Sequence, residues 1–130
     1  MERKIRVLLV DDEPDFVESM SLWLQAKGYY VSVASGGEEA IKIIKEQTPH
    51  IVFLDIKMPA MDGIETLRRI REFNQRIPVI MITAYADEEK LAKSQRLNIS
   101  GFFAKDEDVK VLQDTIELTL KTYKRIWKER

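Results

Sequence analysis

The sequence predicts a doubly wound α/β sandwich, five strand–helix units wrapped around one parallel sheet. Three observations carry the prediction. Residues 5–10, 51–54 and 79–82 are short runs rich in Val, Ile and Leu that do not alternate with polar residues. Strands buried on both faces of a parallel sheet have that pattern. Segments with apolar residues at helical spacing fill the gaps between the runs. The chain has 130 residues, 45% of them apolar, which suits one domain with a full core by the prior of roughly 100–200 residues each.

Taken in order, the run at 5–10 leads into a helix over 14–27, with Val17, Met20 and Leu24 on one side and Gly28 placed to close it. A weaker strand at 29–34 precedes a helix over 37–47 that carries Ala40, Ile41 and Ile44. The strand at 51–54 leads to a helix over 63–73 with Ile64, Leu67 and Ile70; Asp62 before it reads as a cap or turn residue. After the strand at 79–82, residues 87–97 form a more polar helix with Leu91 and Leu97 as its clearest apolar positions. A second weak strand at 101–104 precedes the longest helix, from 109 to about 127, with Leu112, Ile116, Leu120 and Tyr123 at helical spacing. Such alternation predicts an α/β sandwich, and right-handed crossovers restrict its topology. Five units at this length favour the flavodoxin-like strand order 2-1-3-4-5. No repeat, low-complexity tract or linker interrupts the pattern, so a single domain is expected over residues 1–130.

Composition narrows the function. With 21 basic and 22 acidic residues, no global basic field supports nucleic-acid binding by this segment. The absence of cysteine excludes disulfides, Cys-based zinc sites and a thiol nucleophile. Arg3 and Lys4 ahead of residues 5–10 mimic the start of a signal peptide, but the apolar run is short and ends in acidic residues. Nothing approaches the ~18 apolar residues of a membrane span. A soluble cytoplasmic protein is expected.

In a sheet of this kind the site lies beyond the carboxyl ends of the strands, where strands 1 and 3 diverge. Asp11 and Asp12 follow strand 1, Asp55 closes strand 3, Thr83 follows strand 4 and Lys105 follows strand 5. Two unit charges ~4 Å apart cost ~4 kcal/mol at an effective dielectric of about 20. Three carboxylates on one rim therefore call for more than Lys105 to balance them. A hard divalent ion with oxygen ligands, magnesium above all, fits one to three carboxylates and a phosphate. A carboxylate beside it is placed to attack phosphorus. Each residue also has a plainer reading. Asp12, ahead of Glu13 and Pro14, reads equally as an N-cap. Thr83 reads as an ordinary strand end, and Lys105 as a solvated lysine. His50, the one histidine, is assigned no chemistry, and Trp23 and Trp127 read as packing. What favours the functional reading is that all five candidates fall on the same rim.

Four stretches in order make the pattern specific: Leu8-Leu9-Val10-Asp11-Asp12-Glu13-Pro14; Phe53-Leu54-Asp55-Ile56-Lys57-Met58-Pro59 running on to Asp62-Gly63; Ile82-Thr83-Ala84; and Gly101-Phe102-Phe103-Ala104-Lys105. On these residues the chain resembles the receiver domains of two-component response regulators over nearly its whole length. The resemblance implies that Asp55 is phosphorylated. It also implies that Asp11 and Asp12 hold Mg2+ (or Mn2+), Asp12 as the direct ligand, with the backbone carbonyl of Lys57 as a main-chain ligand. It assigns Thr83 and Lys105 to the phosphoryl oxygens and Phe102 to the aromatic switch position. It implies a sensor histidine kinase or phosphotransfer protein as partner, docking on the first helix. Asp15, Ser19 and Leu22 face outward there, with Phe16 and Trp23 nearer the border. It further implies switching of the face built by the fourth helix, fifth strand and fifth helix, and leaves open a homodimer through that face. Lys57 and Tyr85 hold the positions that tune lifetime, and Tyr85 suits a shielded, long-lived phosphoaspartate.

One departure stands out. Asp106 follows Lys105 where the family carries proline, often after a cis bond. A cis bond before a non-proline residue costs about 2.5–4 kcal/mol, so a trans Lys105–Asp106 bond is expected, with the ammonium still directed toward Asp55. Two rival readings fit the residues less well. An aspartate-nucleophile phosphatase would need a second Asp two residues after its nucleophile on strand 1, which Asp11-Asp12-Glu13 does not provide, and a cap insertion that is absent. A phosphorylation-independent interaction module is opposed by the intact carboxylate trio. The expected protein is thus no enzyme, beyond assisting its own phosphorylation and dephosphorylation. The last helix runs into residues 124–130 with no stop signal, which leaves open a stand-alone regulator or one followed by an output domain.

Overall fold

Five parallel strands alternate with five helices along the chain. They are β1 (Arg6–Val10), α1 (Pro14–Ala26), β2 (Tyr30–Ala34), α2 (Gly37–Glu46), β3 (Ile51–Asp55), α3 (Gly63–Phe73), β4 (Val79–Thr83), α4 (Glu88–Arg96), β5 (Gly101–Ala104) and α5 (Val109–Lys128). The computed structural model describes residues 4–84, 87–105 and 108–128. Tyr85 and the Lys105–Asp106 bond, both singled out from the sequence, lie outside the described residues.

The sheet order is β2-β1-β3-β4-β5, with every pair parallel. Alternate residues of each central strand serve opposite faces. On one side Leu8, Val10, Val52, Leu54, Val79 and Met81 pack with Ala40 and Ile44 of α2 and Leu67 and Ile70 of α3. On the other, Val7, Leu9, Phe53, Ile80 and Ile82 pack with Met20 and Leu24 of α1 and Leu112, Ile116 and Leu120 of α5. Both faces are covered, so β3 and β4 are buried at every residue. That accounts for their unbroken apolar runs. The edge strands β2 and β5 are only partly buried, and their sequences are correspondingly weaker signals.

Local chemistry sets the helix ends. Asp62 is the N-cap of α3 and accepts from the Glu65 backbone N–H at 2.8 Å. Gly28 takes a φ of +97° just after α1, where a side chain would be strained. The α4 helix departs from its expected packing. Its one buried position is Ser94, while Leu91 is half-buried and Leu97 lies past the helix end as the C-cap. The charged and amide residues around it leave α4 little apolar surface, and a small side chain makes the close approach. Arg71 of α3 ties down the segment after α4, donating to the carbonyls of Leu97 at 2.8 Å and Asn98 at 2.6 Å.

Candidate functional site

The β1 and β3 strands are neighbours, yet their following helices lie on opposite sides of the sheet. Their carboxyl ends therefore open a crevice, the usual ligand position in doubly wound sheets. Asp11 comes directly after β1, and its backbone N–H donates to Ala34 O at 3.1 Å. Asp55 is the last residue of β3, in register with Ile82. Thr83 ends β4 opposite Ala104, and its carbonyl accepts from the Lys105 N–H at 2.6 Å. Sheet register thus brings Asp11, Asp55, Thr83 and Lys105 to one rim.

Asp11 and Asp55 are each 2% exposed and Thr83 1%, while Asp12 is exposed. Carboxylate oxygens of Asp11, Asp12 and Asp55 all lie within 4.8 Å of one another. Lys105 enters from the other side. Its Nζ is 2.7 Å from Asp11 Oδ2, 2.9 Å from Glu13 Oε1 and 3.5 Å from Asp55 Oδ2. It also stands 4.5 Å from the centre of the Phe16 ring, a cation–π distance.

Charge and burial act against each other here. Burial first, and then the Asp11 carboxylate, push the Asp55 carboxyl up from 3.8 to about 6, against the pull of Lys105 and of the Lys57 backbone N–H. Burial disfavours the Lys105 ammonium, but its contacts with Asp11 and Glu13 and the charge of Asp55 overcome this and raise its pKa. Asp11 Oδ2 is buried and has Lys105 as a charge contact, yet it lacks a well-directed hydrogen bond among the described residues. Three carboxylates facing one ammonium, with such an oxygen between them, leave negative charge unbalanced. The donor set is all carboxylate oxygen and opens to solvent through Asp12, so it fits a hard divalent cation such as magnesium or manganese.

The other residues singled out from the sequence fall as follows. Lys57 is exposed on the loop after β3. Phe102 is half-buried on β5, in register with Met81, and packs against the core on the α2 and α3 side. Asp15, Ser19 and Leu22 all lie on the exposed side of α1, with Leu22 60% exposed. Asp12 does not cap α1. The N-cap is Glu13, whose side chain makes no capping hydrogen bond. The residues that sequence reasoning missed are Glu13 and Phe16. One signal was available, since Glu at an N-cap position is a poor capping residue and its carboxylate was free for another contact.

Comparison with known proteins agrees with this geometry. The family model for the response regulator receiver domain matches residues 7–117. Sporulation initiation phosphotransferase F of Bacillus subtilis (strain 168) is 32% identical over 112 residues, covering 86% of this chain and 90% of that protein. Transcriptional regulatory protein ZraR of Escherichia coli (strain K12) is 34% identical over 116 residues, covering 89% of this chain but only 26% of ZraR. The solved structure of a CheY-like response regulator receiver domain protein from Methanospirillum hungatei JF-1 superposes with a TM-score of 0.86 at 26% identity, over 95% of this chain and 98% of that one. Among the described residues no helix is long and apolar enough to cross a membrane. Since the family match runs through every strand of the sheet and every carboxylate on its rim, the chain belongs to the response regulator receiver domains, the phosphoryl-accepting modules of two-component signalling.

Proposed function

We propose that Asp55 is the residue that accepts the phosphoryl group. The observation that carries this reading is the setting of Asp55, a buried carboxylate beside the Asp11–Lys105 ion pair at the divergence of β1 and β3. An Asp55 oxygen forms a bond to phosphorus while the P–N bond of a partner's phosphohistidine breaks. The imidazole leaves with the bonding electron pair, and an acyl phosphate remains. Thr83 at the end of β4 and Lys105 just past β5 stabilise charge on the phosphoryl oxygens.

Asp11, Asp12 and Asp55 would hold magnesium, with the Lys57 carbonyl as a further oxygen donor. When bound, the ion neutralises charge on the carboxylates and on the incoming phosphoryl group. The partner is a histidine kinase or phosphotransfer protein, and the setting is the cytoplasm. The acyl phosphate then draws Thr83 inward and Phe102 follows, which alters the face of α4, β5 and α5. That face serves an effector, an attached output domain or a second copy. The domain turns over no substrate besides its own acyl phosphate.

The test is incubation with a small phosphodonor and magnesium, read by intact mass and by mapping of the modified residue. One phosphoryl group at Asp55, absent in Asp55→Asn and in chelator, is the expected result. No labelling of the wild type would favour a phosphorylation-independent module.

A further inference from the structure

Lys105 lies within ion-pair distance of Asp55 but sits closer to two other carboxylates. Its contacts with Asp11 and Glu13, at 2.7 and 2.9 Å, are both shorter than the 3.5 Å to Asp55. The last distance lies beyond the usual N–H···O range of about 2.7–3.2 Å. The Phe16 ring, also on the α1 side, lies 4.5 Å from the ammonium. Asp11, Glu13 and Phe16 all belong to the segment running from the end of β1 into α1. Together they hold the lysine from that side.

Glu13 is free to do this because it caps nothing. It occupies the N-cap of α1 without a side-chain capping bond, and its backbone N–H is already satisfied by Asp11 Oδ1 at 2.9 Å. Its carboxylate instead accepts from Lys105, 92 positions away in sequence. We propose that Glu13 is a positioning residue that holds Lys105 back from Asp55 in the unphosphorylated protein. On this account, capture of a phosphoryl group includes breaking the Glu13–Lys105 contact.

Exposure decides which of the two carboxylates lets go. The Asp11 side chain is 1% exposed and that of Glu13 58%. Released from the lysine, Glu13 can turn into water, whereas the buried Asp11 side chain cannot. The ammonium therefore pivots on Asp11, exchanging Glu13 for a phosphoryl oxygen on Asp55. Glu13 competes with that oxygen, so its removal strengthens the grip on the phosphoryl group. Half-exposed ion pairs are weak, so the gain is about two- to fivefold.

The proposal rests on the reading of Asp55 as acceptor, and the experiment separates the two. Beryllium trifluoride, a phosphoryl analogue, is titrated at saturating magnesium into the wild type, Glu13→Gln, Glu13→Asp and Asp55→Asn, with binding followed by NMR. The expected result is binding to the wild type, none to Asp55→Asn, and about two- to fivefold tighter binding to Glu13→Gln. Structural damage would weaken binding, so a gain cannot arise from it. Glu13→Asp keeps the charge on a shorter arm. If contact with Lys105 is what matters, it binds like Glu13→Gln; if it binds like the wild type, the effect is general charge repulsion and the proposal is overturned. Unchanged or weaker binding to Glu13→Gln overturns it too. Failure of the wild type to bind would overturn the reading of Asp55 itself, and the proposal with it.

Discussion

Gly63 lies so close to Asp55 that a Cβ added to it would stand 2.1 Å from the Asp55 carbonyl oxygen and 2.7 Å from Ile56 Cα. The Gly63 N–H donates to Ile56 O at 2.7 Å, which binds the start of α3 to the end of β3. Both atoms a side chain would strike are backbone, so neither can rotate out of the way. The close approach fixes the peptide that carries Asp55, and the missing side chain is a condition of the site's geometry.

Gly63→Ala is therefore expected to destabilise the fold at the upper end of the about 1–3 kcal/mol typical of overpacking. Urea denaturation will measure this as a lower midpoint. The displaced Asp55 peptide is also expected to slow labelling by a small phosphodonor under conditions where the variant remains folded. A midpoint equal to that of the wild type would mean that the β3–α3 junction relaxes freely.

Asp12 gives a cleaner separation of chemistry from folding. It is exposed and does not cap α1, so Asp12→Ala should leave the unfolding free energy within about 0.5 kcal/mol of the wild type, as surface changes usually do. The same variant is expected to lose magnesium-dependent phosphorylation, because one of three clustered carboxylates is gone. Unchanged labelling in Asp12→Ala would remove the residue from the metal site.

Asp55 should make the metal-free protein less stable as pH rises through its titration. Its folded pKa is raised to about 6 from 3.8, so between these values the folded state binds more protons than the unfolded state. The stabilising effect of protonated Asp55 is then fully present below about pH 3.8 and lost as pH rises through about 6. Asp55→Asn cannot take on the charge. Its stability relative to wild type should be small near pH 4 and grow to roughly 1–3 kcal/mol at pH 7, at 1.36 kcal/mol per pKa unit. Saturating magnesium should narrow the difference, because the ion binds the folded carboxylates. Denaturation curves of both proteins from pH 4 to 8 in chelator supply the test. A difference that shrinks as pH rises would show that Asp55 is not held above its ordinary range.

Much of this was legible because parallel sheets sort their strands by burial. The β3 and β4 runs stand out in sequence because they are covered on both faces, while β2 and β5 were faint because one edge of each is open. Asp11, Asp55, Thr83 and Lys105 could be placed on one rim because each lies at or just past the end of a strand, where chain order alone fixes position. What the sequence did not yield are contacts that depend on the reach of long side chains. The Glu13–Lys105 pair spans 92 positions, and the Arg71 contacts to Leu97 and Asn98 span 26 and 27. The burial of Ser94 was hidden for another reason: a polar helix with few apolar residues packs by closeness, and periodicity records only hydrophobicity.

The outer face of α1 supplies the last prediction. Met20 and Leu24 are buried against the sheet, while Asp15, Ser19 and Leu22 are exposed, Leu22 at 60%. A single exposed leucine is ordinary, but this one sits on the helix that starts beside Asp12 and Glu13. A phosphohistidine delivered to Asp55 must approach over that end of the sheet, so a partner helix that brings it would lie along α1. Leu22 is the apolar anchor available there, with Asp15 and Ser19 as polar neighbours. Leu22→Glu changes no buried contact and no group near Asp55. It is expected to slow phosphotransfer from a phosphorylated kinase about thirtyfold or more, in keeping with the ≥ 2 kcal/mol of an interface anchor. Labelling by a small phosphodonor should be unchanged. Measuring both rates on the same preparation distinguishes the outcomes. Equal loss by both routes would indicate damaged folding or chemistry, and no loss by either would take Leu22 out of the docking surface.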